Sequence, residues 1–208
     1  MRGIEMTKPN LTSVSDFFEW RADRNQPSVE DYYSEYTTNL GWEETDVLYS
    51  FLGVYVLGLI AFYPDQFRIA KYRITQNESG NYAYSKLFLS THYGEYSELN
   101  DLPELKEFLS MYFDIGNVIP IWKGGNSDKG MHGNCFDNPD IYFKSNINQF
   151  KELVRKFPTA YMEDLIISPY EDTPSLLKQM YSSKDEYLTF LRHIIGVISK
   201  RTEQLSIQ

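Results

Sequence analysis

The chain has 208 residues, a single cysteine and a net charge of −9. A chain of this mass exposes about 10,000 Å² when folded against about 35,000 Å² when extended, so about 70% of its surface is buried and a core needs no covalent staples. One cysteine excludes an internal disulfide framework and fits a reducing, cytoplasmic compartment. The acid excess argues against a general nucleic-acid-binding surface.

The opening MRGIEMTKPNLTS lacks the apolar stretch of a secretory signal, so none is expected. Residues 16–46 then hold nine acids (Asp16, Glu19, Asp23, Glu30, Asp31, Glu35, Glu43, Glu44 and Asp46) against Arg21 and Arg24, a local charge of −7. Trp20, Tyr32, Tyr33, Tyr36 and Trp42 are interleaved with them. Charge steers encounter and aromatics anchor interfaces, so Glu30, Asp31, Glu35, Glu43 and Glu44 mark a candidate surface for a basic protein partner. The alternative is a solvated acidic face with its aromatics turned inward.

Most of the chain carries helical signals. Ser28-Val-Glu-Asp31 resembles a capping box, with Tyr32, Tyr36 and Leu40 following at four-residue spacing. Residues 47–63, VLYSFLGVYVLGLIAFY, carry no charge. About twenty apolar residues are usual for a bilayer span, so a centrally buried helix is the expectation and a membrane helix the alternative. Residues 68–76 and 82–91, separated by the turn-like NESGN, predict a small β-hairpin. Asp101-Leu-Pro-Glu104 predicts a capped helix with Leu102, Leu105, Leu109 and Tyr112 on one face. Pro120 within NVIPI suits an edge or a loop.

Further on, Phe143, Ile147, Phe150, Val154 and Phe157 form an apolar stripe that ends before Pro158. The last helix is capped by Ser183 and Glu186, and its expected stripe is Leu188, Leu191, Ile195, Ile198, Thr202 and Leu205. No linker divides the chain. The fold class is therefore mainly α, one domain over residues 1–208, with a minor β-hairpin at about 68–91.

One stretch departs from ordinary packing. DIGNVIPIWKGGNSDKGMHGNCFD, residues 114–137, concentrates glycine and asparagine around His132 and Cys135. Cysteine hydrolysis would need His132 or His92 as its base, and no motif around Cys135 supports that. Structural zinc needs four ligands in matched clusters, and His132, Cys135 and Asp137, with His92 as a further candidate, lack the second cluster. The lysine of WKGGNSDKG precedes its glycines, unlike a phosphate-binding loop. A connecting loop with Val118, Ile119, Ile121 and Trp122 plugging the core is the plainer alternative. Its length favours a site.

The blocks IGNVIPIWKGGN, CFDNPDIYF and YLTFLRHIIGVISKRTEQL resemble a family of uncharacterised bacterial and phage proteins of similar length. That resemblance implies an α-rich single domain and phage–host conflict as a setting. A second similarity is to the HNH-type nucleases of the GmrSD-like modification-dependent restriction class. It rests on His92, then Ile115-Gly116-Asn117, then Asn126 and Asn134. It implies His92 as general base, Asn126 as the residue orienting it, and His92, His132 and Asn134 as holders of a divalent metal. Apart from that metal no cofactor is expected. Residues 116–152 balance four lysines against four acids, so Lys123, Lys129, Lys144 and Lys151 would carry any phosphate contact. Two functions follow: an acidic, cytoplasmic protein-interaction protein with no membrane association, and an active or degenerate metal-dependent nuclease built on 114–137.

Overall fold

The computed structural model describes residues 7–23, 25–27, 29–32, 44–70, 73–76, 86–121 and 183–206. These residues are mainly helical, as expected. Helix α1 (Val14–Ala22) begins with a capping box. Ser13 Oγ accepts the Asp16 N–H at 3.1 Å, and Asp16 Oδ2 accepts the Ser13 N–H at 2.8 Å, so two otherwise orphaned donors are satisfied. Its inner face buries Val14, Phe17 and Phe18. The Phe17 ring lies 4.2 Å from Phe51, and Phe18 stacks on Tyr93 at 4.6 Å.

After the short helix α2 (Val29–Tyr32), strand β1 (Glu44–Val47) leads into helix α3 (Phe51–Phe62), every residue of which is buried. This is the uncharged segment, and it sits at the centre of the fold as expected. At about 1.5 Å per residue twelve residues make about 18 Å, far short of the hydrocarbon thickness of a bilayer. No helix among the described residues is long and apolar enough to cross a membrane.

The hairpin is smaller than the sequence suggests. Strands β2 (Phe67–Ala70) and β3 (Arg73–Gln76) pair antiparallel with each other, inside the run expected to be one strand. The run expected to be its partner contains helix α4 (Lys86–His92) instead. The reason is burial of neighbours: Phe88 and Leu89 both enter the core, whereas strand alternation would send them to opposite faces. The NESGN turn lies outside the described residues.

A 3-10 turn (Tyr93–Glu95) and helix α5 (Ser97–Asn100) lead to helix α6 (Pro103–Ser110). The expected Asp101 cap does not form. The helix starts one residue later, with Leu102 as its N-cap and Pro103 in the first turn. Asp101 is drawn to Lys106 at 2.9 Å instead, and Glu104 to Arg192 at 2.7 Å. Leu105, Phe108, Leu109 and Tyr112 are buried.

Beyond α6, the 3-10 turn Ile115–Asn117 feeds strand β4 (Val118–Ile121), which pairs antiparallel with β1. The Leu48 N–H reaches the Asn117 carbonyl at 2.7 Å, so positions 117, 119 and 121 address β1. Pro120 therefore faces away from the partner strand, where its missing N–H costs no ladder bond. The sequence had no signal for β1.

The last helix, α7 (Lys184–Ser206), is capped by Ser183, whose Oγ accepts the Glu186 N–H at 3.2 Å. Its buried face is rotated from the expected one: Tyr187, Phe190, Leu191, Ile194, Ile195, Ile198, Arg201 and Leu205. Leu188 and Thr202 lie at its margins. Buried side chains from Leu11 to Leu205 form one continuous cluster, so the described elements share a core. The stripe expected over 143–157, and Tyr36 and Leu40, lie outside the described residues.

Candidate functional site

The start of the glycine-rich stretch is a packing junction. Gly116 lies so close to α7 that a Cβ there would fall 2.1 Å from the Ile198 carbonyl oxygen and 2.5 Å from Thr202 Oγ1. Only glycine fits. Its N–H donates to Thr202 Oγ1 at 3.1 Å. Asn117 is fully buried and works as a backbone surrogate. Its Oδ1 accepts the Tyr49 N–H at 2.9 Å, while Nδ2 donates to the carbonyls of Tyr112 at 3.0 Å and Tyr49 at 3.3 Å. These contacts join β1, the end of α6 and β4.

Arg201 completes the junction from α7. It is 0% exposed, and its Nε and Nη2 donate to the carbonyls of Gly116 at 2.6 Å and Val118 at 2.5 Å. A charged residue on a buried stripe has no periodicity signature, so sequence reasoning passed over it. Val118 and Ile119 are buried as expected of a core plug. The Ile115-Gly116-Asn117 signature thus has a structural role: close approach at glycine, backbone sealing at asparagine. Trp122, Lys123, Asn126, Lys129, His132, Asn134, Cys135, Lys144 and Lys151 lie outside the described residues.

Beside this junction, Lys8 and Asp114 attract one another. Desolvation nevertheless dominates at both, holding the Lys8 amine below its ordinary value and the Asp114 carboxyl above its own.

His92 is half-buried at the C-terminal end of α4, stacked on the Phe88 ring with centroids 4.5 Å apart. Its Nδ1 lies 3.0 Å from the Phe88 carbonyl and 2.7 Å from Thr91 Oγ1. With its proton on Nδ1, donated to that carbonyl, the ring keeps Nε2 as its acceptor nitrogen. Among the described residues no three His, Cys, Asp or Glu side chains are grouped to hold a metal.

In the acidic third, Trp20 and Tyr32 turn inward, while Tyr33, Tyr36 and Trp42 lie outside the described residues. The Trp20 ring meets Phe113 at 5.0 Å, and Tyr32 meets it at 5.3 Å. Several acids serve the local backbone. Asp16 caps α1, and hydrogen bonds from Thr12 and Ser13 hold its carboxyl below the usual range. Asp23 accepts the Asn25 N–H at 2.9 Å, and Asp46 Oδ1 accepts the Val47 N–H at 2.7 Å. Glu19 and Asp31 are exposed. Of the other expected surface residues, Glu30 has only its backbone described, in α2, and Glu44 only its backbone, in β1. Glu35 and Glu43 lie outside the described residues.

Comparison with protein families, with curated proteins and with solved structures finds no match. Both resemblances therefore stand on the quoted motifs alone.

Proposed function

We propose that this chain is an acidic protein-interaction protein whose N-terminal third, through Glu30, Asp31, Glu35, Glu43 and Glu44, receives a basic partner in the cytoplasm. The supporting observation is the exposed charge alone: Glu19 and Asp31 stay in solvent, whereas Trp20 and Tyr32, expected as anchors in this reading, pack inward. A face of that kind recruits by charge rather than by aromatic anchors, so its binding is fast, steered and salt-sensitive. Phage–host conflict is the setting suggested by the resemblance of the three sequence blocks. Affinity capture at low and at high salt tests the reading. A basic partner should be retained at low salt and lost at high salt or on charge reversal of Glu30, Asp31 and Glu35. Capture indifferent to both would overturn it.

The competing reading is a metal-dependent nuclease, and the orientation of His92 is what favours it. It requires His92 beside Asn126, His132 and Asn134 around a divalent ion, with Lys123, Lys129, Lys144 and Lys151 on the phosphates. Magnesium, manganese, nickel or zinc should then raise the melting temperature in a concentration-dependent way. His92→Ala and Asn126→Ala should each abolish cleavage while leaving the fold intact. Absence of any metal-induced shift removes this reading.

A further inference from the structure

Three parts of the chain meet at residues 115–118. Toward β1, the Asn117 carbonyl takes the Leu48 N–H. Toward α7, the carbonyls of Gly116 and Val118 both accept from the guanidinium of Arg201, and the Gly116 N–H donates to Thr202 Oγ1. Along the outer side of β4 the planar guanidinium thus stands where a neighbouring strand would otherwise pair. Withdrawing an arginine from water is costly, and an apolar side chain of similar length would fill the slot without that cost. What the apolar stripe of α7 lacks is a register: Leu191, Ile194, Ile198 and Leu205 tolerate a shift of one turn far better than two aimed donors do. The polar pair supplies that register.

We propose that α7 is a strap whose seating and the β1–β4 pairing form a single two-state unit, locked by Arg201 and Thr202. Lifting the C-terminal turns of α7 releases the strand that opens the glycine-rich stretch, and displacing that strand releases α7 by the same coupling. This linkage is independent of the interaction reading, because it rests on the backbone groups of β1 and β4 and on Arg201 and Thr202, not on the carboxylate of Glu44.

Amide hydrogen exchange on the full chain tests it, comparing wild type with Arg201→Met and, as a milder variant, Thr202→Val. In both variants the amides of Leu48, Tyr49 and residues 197–205 should exchange faster together, by about tenfold or more in Arg201→Met. The amides of Val56 to Ile60 in α3 should keep their protection, and Arg201→Lys should restore part of the loss. If α7 amides accelerate while Leu48 and Tyr49 stay protected, the helix is a passive cover and the proposal fails. It fails equally if α3 loses protection to the same degree in Thr202→Val, since the unit would then be the whole fold. Should Arg201→Met not fold, Thr202→Val alone decides between these outcomes.

Discussion

Tyr187 lies directly across Gly58. A Cβ on Gly58 would fall 2.8 Å from both Cζ and the hydroxyl oxygen of Tyr187, and 2.6 Å from Leu99 Cδ1. The Tyr187 hydroxyl donates to the Val54 carbonyl at 3.0 Å, so the phenol spans the crossing of α3 and α7 and is pinned at its far end. Burial pushes that hydroxyl well above the ordinary tyrosine range, which keeps it a neutral donor. Gly58→Ala should destabilise by about 1–3 kcal/mol through overpacking, and Tyr187→Phe by about 1 kcal/mol through the lost hydrogen bond. In the double variant the two costs should not add, because they share one crossing. Denaturant unfolding reads all three.

Asn117→Ala removes three buried hydrogen bonds at once, with the Tyr49 N–H and with the carbonyls of Tyr49 and Tyr112. Each contributes about 0.5–1.5 kcal/mol net, so a loss of about 1.5–4 kcal/mol is expected. Asn117→Asp should not rescue it, since a carboxylate cannot donate to the Tyr49 and Tyr112 carbonyls. A variant melting with wild type would show that the amide is not the seal between β1 and α6.

The rotation of the α7 stripe has a measurable consequence. Ile198 is 0% exposed and Ile195 9%. Each replaced by aspartate places an unpaired charge against the core and should cost several kcal/mol. Ile198→Asp should be the worse of the two, because Ile195 lies nearer the rim, where its replacement can reach water. Equal losses in thermal unfolding would contradict the placing of Ile195 nearer the rim than Ile198.

Two carboxylates make opposite contributions to stability against pH. Asp16 is depressed by its hydrogen bonds, so its contribution is present above its unfolded value near pH 4 and fades as pH falls through the lower folded value. Asp114 is raised by desolvation, so its contribution is present below its unfolded value and lost as pH rises through the folded one. Asp16→Asn should therefore flatten the acid limb of the stability profile. Asp114→Asn should stabilise at neutral pH and lose that advantage in acid. Thermal melts from pH 3 to 7 separate them, and parallel profiles for both variants would contradict the assignment.

What sequence alone determined follows from local rules. An uncharged run like that of residues 47–63 has nowhere to go but a core or a membrane, and its seventeen residues already favoured the core. Ser183 with apolar periodicity located α7 because capping and burial act within a few residues of one another. The inward turn of Trp20 and Tyr32 was one of two alternatives that the interleaved pattern left open.

Tertiary contact decided the rest. Lys86–His92 is helical because the core takes the adjacent Phe88 and Leu89 together, which no count of alternation foretells. Glu104 bonds Arg192 on a helix some ninety residues away rather than closing a capping box with Asp101, an outcome set by how α6 and α7 meet. Strand β1 exists because Asn117 and β4 lie beside it, and Arg201 is buried because the carbonyls of Gly116 and Val118 face it. Such pairings join residues distant in sequence, and only the folded chain brings the donor to its acceptor.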